Sequence, residues 1–401
     1  MVPEGWTVRS LGDVLERVSK PVKPEPKRLY REIGIRSHGK GIFHKEPVSG
    51  ESLGEKRVFE VVPDCLVLNI VFAWEQAVAR TTVAEIGMIA SHRFPMYQPR
   101  DGSGNVDFLT YFFKTKHGKE LLELASPGGA GRNKTLGQEP FSKLKIRIPP
   151  PAEQKKISEI LCVLDLAVTA SEKLIRNAAT YKSALMDKLL TGRQRLPGFD
   201  EPWRTTRLDS VCKVRRGASP RPIRDSRWFS DAGRGWIRIS DVTASKGEYL
   251  TRTKQYLSHD GEQASVIVDP GDLIMSICAT IGVPKFIGIP ACIHDGFVVF
   301  RDISPNLSAR FLYHYLDFVS KKLAAGGQPG TQRNINTSIV GSVRVPVISL
   351  DEQVRIALII STASETIQKL VDDLLRLKRA QSALMQNLVT GKRRVSLGSG
   401  A

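Results

Sequence analysis

The chain has 401 residues, 41% hydrophobic and 25% charged, a balance that excludes a disordered or membrane-embedded protein and suits two or three domains. Lysine and arginine number 59 against 41 acidic residues, and a formal net charge of +18 points to a polyanionic partner, of which nucleic acid is the usual one. The five scattered cysteines (Cys65, Cys162, Cys212, Cys278, Cys292) form no Cys-x-x-Cys pair, so they read as reduced thiols of a cytoplasmic protein. The start, Met1 to Trp6, lacks a secretory signal. The apolar stretches near Cys65–Ala73 and Ile287–Ile293 are too short to span a membrane.

In chain order, Trp6, Leu11 and Val14 open a first globular domain, expected over residues 1–150. Asp101-Gly-Ser-Gly-Asn105 reads as a turn, not a cofactor loop. A glycine-rich loop, Ser126 to Asn133, ends the domain and carries Arg132 and Asn133 beside Lys134. Pro149-Pro150-Pro151 then starts a helix (151–192), proline being tolerated at the first helical position. Its apolar residues step by four and three: Ile157, Leu161, Leu164, Val168, Ile175, Leu185, Leu189. A 3.5-residue repeat held over about five heptads is a coiled-coil seam, and about 38 helical residues give a rod of roughly 57 Å.

A linker (193–202) leads to a second domain (203–348), whose Trp203, Leu208 and Val211 echo the first opening at an offset of 197. From Arg193 to Arg227 ten basic residues face four acidic ones, concentrated in Lys213, Arg215, Arg216, Arg221 and Arg224; such a run suits phosphate contacts, a solvated basic linker being the alternative. Trp228, Phe229 and Trp236 are expected in the core, with a place bordering a DNA face as the alternative. A second glycine-rich loop, Gly326 to Asn336, carries Gln332, Arg333 and Asn334. Arginine and amide side chains are the base readers of the major groove, so both loops are DNA-binding candidates, with an ordinary turn into the last strand before the helix as the equal alternative.

The second helix (349–391) starts at Ser349-Leu-Asp-Glu352, which fits a capping box, and repeats the seam as Ile356, Ile360, Ile367, Leu370, Leu374, Leu377, Leu384, Leu388. A tail (392–401) follows. Ala152–Leu196 aligns without a gap on Asp351–Val395 at an offset of 199. Lys182 and Gln381 interrupt the two seams at equivalent places, where solvation near a helix end is the expectation and fixing the register is the alternative. Gly192 and Gly391 suit left-handed helix ends. Between the echoes, residues 20–125 and 215–325 share little. The order is variable, constant, variable, constant. If the helices pair antiparallel, the chain reads as circular, with its termini close together.

The helix starts (Pro150 to Gln154; Leu350 to Gln353), the helix ends Leu185–Gly192 and Leu384–Gly391, and the paired tryptophan openings together resemble the specificity (S, HsdS) subunits of type I restriction–modification systems, over essentially the whole chain. The second helix lacks the proline cluster of the first. The second domain matches the family better, through Trp236–Asp241 and Val268–Leu273; Val62–Leu66 is the first domain's counterpart of the latter. The resemblance implies an α+β fold: two mixed α/β target-recognition domains separated by two long helices in an antiparallel coiled coil, a pseudo-twofold, circular repeat. It implies double-stranded DNA and two methyltransferase (M) subunits as partners, with restriction (R) subunits in the full complex and an asymmetric bipartite target.

No methyltransferase motif or ATP-binding loop occurs in the sequence. His38 and His44, and Cys278, Cys292 and His294, fit no zinc spacing. The chain is therefore expected to be non-catalytic and to hold no metal, with S-adenosylmethionine, ATP and magnesium in its partners. A coiled-coil scaffold with two protein-binding domains is the alternative; a free-standing nuclease or methylase is a third reading.

Overall fold

The computed structural model of the chain describes residues 2–128, 134–325 and 335–396. The long helices run Pro151–Leu189 and Leu350–Val389. A linear segmentation at residues 150 and 348 follows these helices, but packing divides the chain differently. One compact unit is Met1–Ser171 with Leu374–Ala401, the other Glu172–Asp373. Each unit takes half of each helix, because a helix with an apolar stripe must bury it against a partner.

In the first unit Ile157 and Leu161 share a core with Leu388 and Val389, and that core continues into Trp6, Phe108 and Phe112 of the globular part. In the second, Met186 and Leu189 meet Ile356 and Ile360 and continue into Leu208, Phe300 and Phe311. The start of one helix thus packs on the end of the other in both units, so the pairing is antiparallel. Every seam residue named above is buried or half-buried. Gln381 departs from expectation: its Nε2 donates to Asp165 Oδ1 across the helix pair at 2.6 Å, and Asp165 Oδ2 accepts from the Tyr111 hydroxyl at 2.7 Å. The position is bridged, not solvated.

The helix starts explain the repeated Glu-Gln. Gln154 is fully buried; its Oε1 accepts from Asn105 N–H, and its Nε2 donates to the Ser103 and Pro149 carbonyls. Gln353 does the same with Ser308, Asn306 and Ile348. Each glutamine ties a domain loop to its helix. The capping box at Ser349 is only half made. Ser349 Oγ accepts from Glu352 N–H at 3.3 Å, but the Glu352 carboxylate turns instead to the Arg195 guanidinium at 2.8 and 2.9 Å. A charged fork is a stronger partner than one backbone N–H. Glu153 takes Arg394 in the same way, and accepts from Trp6 Nε1.

Both helices end on a left-handed glycine, Gly192 (φ 71°) and Gly391 (φ 74°). A Cβ would meet the Trp203 ring at 3.0 Å in one and Pro3 and the Trp6 ring in the other, so glycine is needed for space as well as for φ.

The variable regions share a sheet that their sequences do not reveal. In the first unit Leu66–Leu68 lies between Val78–Arg80 and Met96–Pro99, and the latter pairs with Leu15–Val18. In the second, Leu273–Ser276 lies between Pro284–Ile287 and Phe297–Arg301, and the latter pairs with Lys213–Arg216. All these pairs are antiparallel. The turns Val62–Leu66 and Val268–Leu273 lead into the equivalent inner strands. The second unit adds a four-stranded sheet in which Phe229–Ile237 lies beside Gln255–Leu257 and Ala291–Ile293.

Candidate nucleic-acid interface

The basic run of the second domain is not a loose linker. Lys213–Arg216 is the edge strand of a five-stranded sheet, paired with Phe297–Arg301, and Lys213, Arg215 and Arg216 are exposed. Cations on an edge strand also discourage pairing with another chain. Lys213 is held by Asp302 at 2.8 Å. Arg216 and Arg221 converge on one residue: Arg216 Nε donates to the Asp295 carbonyl at 2.8 Å, and Arg221 Nη2 lies 3.3 Å from Asp295 Oδ2. Arg215 and Arg224 are exposed, with no partner among the described residues.

Asp295 sits in the wall shared by two pockets. The larger, about 540 Å³, is lined by Ser219, Arg221, Trp236, Arg238, His294 and Asp295 among others; the smaller, about 230 Å³, adds Arg216, Cys278 and Ile335. The Ser219 hydroxyl donates to Asp295 Oδ1 at 2.6 Å. That hydrogen bond, aided by the Arg221 cation, holds the carboxyl below the usual carboxylate range, so it is ionised at neutral pH. Burial pushes the His294 pKa down; its Nδ1 accepts from Gly296 N–H at 2.8 Å, and its 3.6 Å approach to Asp295 is not an ion pair.

The aromatic residues lie where core packing puts them. Trp228 is buried, with its N–H on the Pro222 carbonyl, and Phe229 is half-buried. Trp236 is 1% exposed, yet its Nε1 has no hydrogen-bond partner.

Among the loop candidates, Arg132, Asn133, Gln332, Arg333 and Asn334 lie outside the described residues. Lys134 is described, with Nζ 5.5 Å over the Trp74 ring. The residues that follow the loops are anchored alike: Leu136 N–H donates to the Ile70 carbonyl at 2.8 Å, and Ile335 N–H to the Ile277 carbonyl at 3.2 Å. Sequence reasoning missed Arg238 and Asp295. Arg238 lies within the segment Trp236–Asp241 already singled out and directly follows the strand Phe229–Ile237; Asp295, two residues beyond Ala291–Ile293, gave no signal.

Among the described residues, no group of three or more His, Cys, Asp or Glu is placed to hold a metal ion. His44 instead meets Glu85 at 2.8 Å. All five cysteines are free thiols. No helix among the described residues is long and apolar enough to cross a membrane.

The chain is 22% identical to the type I restriction enzyme MjaVIII specificity subunit of Methanocaldococcus jannaschii, over 98% of this chain and 94% of that protein. Among solved structures it resembles the HsdS subunit from Thermoanaerobacter tengcongensis (TM-score 0.55, 20% identity, 98% of each chain). It also resembles the S subunit of a type I restriction–modification system from M. genitalium (TM-score 0.59, 13% identity, 96% of each chain). The family described as "Type I restriction modification DNA specificity domain" matches residues 3–180 and again residues 200–375. The chain therefore belongs to the type I restriction–modification DNA specificity family and is a specificity subunit with two recognition domains.

Proposed function

We propose that the two domains each read one block of an asymmetric, bipartite DNA target, while the long helices set the unread gap between the blocks. The observation that carries this reading is the twice-built mounting. Glu153 with Arg394 and Glu352 with Arg195 form the same junction, and Gln154 and Gln353 anchor the same loop. The surfaces so mounted differ in sequence, so the target is asymmetric rather than palindromic.

The chain itself carries no catalytic constellation in this reading and works in the cytoplasm, where its thiols stay reduced. Adenine methylation belongs to two methyltransferase subunits with S-adenosylmethionine, and cleavage to restriction subunits with ATP and magnesium. Apolar residues exposed on the long helices support docking of such partners there: Val163, Leu166 and Tyr181 on the first helix, Val354 and Leu358 on the second. Exposed large apolar side chains gathered on one element mark interaction surfaces.

The test is to co-express the chain with its methyltransferase partner in a host lacking other methylases and to map modified adenines. One asymmetric motif of two short blocks around a fixed gap is expected. Modification at unrelated sites by an assembled complex would favour the scaffold alternative.

A further inference from the structure

The pocket under Arg221 and Arg238 has a composition that phosphate binding does not explain. Its floor is Trp236, buried and with an indole N–H lacking a hydrogen-bond partner, whereas buried donors are normally paired. Its rim is cationic, with Arg221 and Arg238 exposed. Asp295 lines its wall, a carboxylate that would repel a phosphate. An anion placed among exposed arginines suits a base edge that offers a donor.

The fold brings these groups to one end of a sheet. Phe229–Ile237 and Ala291–Ile293 run parallel, with Ile237 opposite Ile293, so Arg238 and the pair His294-Asp295 emerge side by side. Asp295 has capacity to spare. A carboxylate offers about four lone-pair sites; Ser219 takes one on Oδ1, and Arg221 approaches Oδ2 only at 3.3 Å. Arg238 Nη1 donates to Gln255 Oε1 at 3.1 Å, and the rest of its fork has no side-chain or carbonyl partner among the described residues.

We infer that this pocket is where the second domain reads bases: Asp295 accepts from the exocyclic amino group of a cytosine or adenine, and Arg238 donates to a neighbouring guanine. The inference rests on the DNA-reading role proposed above. Carboxylates accept from cytosine N4, and arginine forks match guanine O6 and N7. Thymine O4 and guanine O6 are acceptors and are refused by an acceptor-only carboxylate. On binding, Arg221 exchanges its long contact with Asp295 for the adjacent backbone phosphate.

The experiment compares Asp295→Asn and Arg238→Ala with the wild-type chain, each co-expressed with the methyltransferase partner, by mapping modified adenines across the host genome. An asparagine amide both donates and accepts. Asp295→Asn is therefore expected to admit guanine or thymine at one position of the second-domain block, with discrimination falling roughly tenfold or more and the other block unchanged. Arg238→Ala is expected to relax an adjacent position. If Asp295→Asn fails to assemble, Arg238→Ala decides, because that side chain is exposed and outside the core.

Unchanged base preference at every position in both variants would overturn the inference while leaving bipartite recognition intact. So would a uniform loss of modification at unaltered preference, which marks a phosphate or structural role. A wild-type chain that directs no bipartite modification would instead sink the proposed function.

Discussion

Arg394 places its guanidinium squarely on the buried carboxylate of Glu153, with Nε 2.7 Å from Oε1 and Nη2 2.8 Å from Oε2, while its Nη1 donates to the Glu4 carbonyl at 2.6 Å. Arg195 and Glu352 repeat the fork in the second unit, with Arg195 Nη1 on the Glu201 carbonyl. The C-terminal tail thus does for the first domain what the central linker does for the second. The circular reading of the chain has this clamp as its physical basis.

Each clamp closes over a carboxylate that is 1% exposed, and a buried charge left without its partner is costly. Arg394→Ala and Arg195→Ala are each expected to lower the Tm by a few degrees, on the order of what a 1–2 kcal/mol lesion does to a unit of this size. Truncation after Gly391 removes Arg394 together with Val395, which packs against the first unit's core, and should cost at least as much as Arg394→Ala. Scanning calorimetry checks both, and a truncated chain that melts like the intact one would show the clamp to be idle.

The bridge from Gln381 to Asp165 sits in an otherwise apolar seam, where a single polar contact fixes register at a cost in stability. Gln381→Leu leaves Asp165 Oδ1 facing an apolar side chain, with the Tyr111 hydroxyl still on Oδ2, and is expected to destabilise by about 1–3 kcal/mol. Asp165→Leu also orphans the Tyr111 hydroxyl, so the double variant is expected to stay destabilised but to lose less than the sum of the two single losses, a coupling that a double-mutant cycle in urea measures directly. Additive losses would mean that the two side chains do not interact.

Much of this was legible in the sequence, for a definite reason. The seam and its repeat are periodic, and periodic apolar spacing survives whatever partner the helix takes. Glu352 was misread as a capping residue because its true partner, Arg195, lies 157 positions away. Gln381 was misread because solvation and a cross-helix bond leave the same polar gap in a heptad. The shared four-strand order of the two domains was invisible, since its strands are short and their outward faces have diverged. The run around Lys213 showed its charge but not its place on an edge strand. Asp295 gave no local sign that two arginines and a serine converge on it.

His314 supplies a pH dependence. It is 1% exposed, with Nε2 2.8 Å from Ser361 Oγ and 3.5 Å from Glu248. Burial pushes its pKa from 6.5 down to about 3; Lys182 and Arg310 act in the same direction and Asp317 against it. The ring is therefore neutral, and its contact with Glu248 is not an ion pair. Between about pH 6.5 and pH 3 the unfolded chain binds the extra proton, so stability falls as the pH drops through that window. A loss of about 1 kcal/mol between pH 7.5 and 5.5 is expected from this residue, and His314→Gln should flatten that part of the profile. An unchanged slope of urea stability against pH would contradict it.

Arg215 and Arg224, exposed and without partners among the described residues, should act on DNA as point charges. Arg224→Ala is expected to weaken binding about equally for all sequences and to reduce the slope of log K against log salt by about one. Fluorescence anisotropy at graded salt reads both quantities. A change in sequence preference with the slope intact would make Arg224 a base reader instead.

The central claim, that equivalent mounts carry independent readers, is tested most directly by replacing residues 203–348 with a second copy of residues 6–150 and keeping both long helices. The measurement is the map of adenines modified when this chain is co-expressed with the methyltransferase partner. Two identical readers on an antiparallel helix pair predict an inverted repeat of the first-domain block around the original gap. Retention of the original asymmetric motif, or modification at sites unrelated to that block by an assembled complex, would contradict the account.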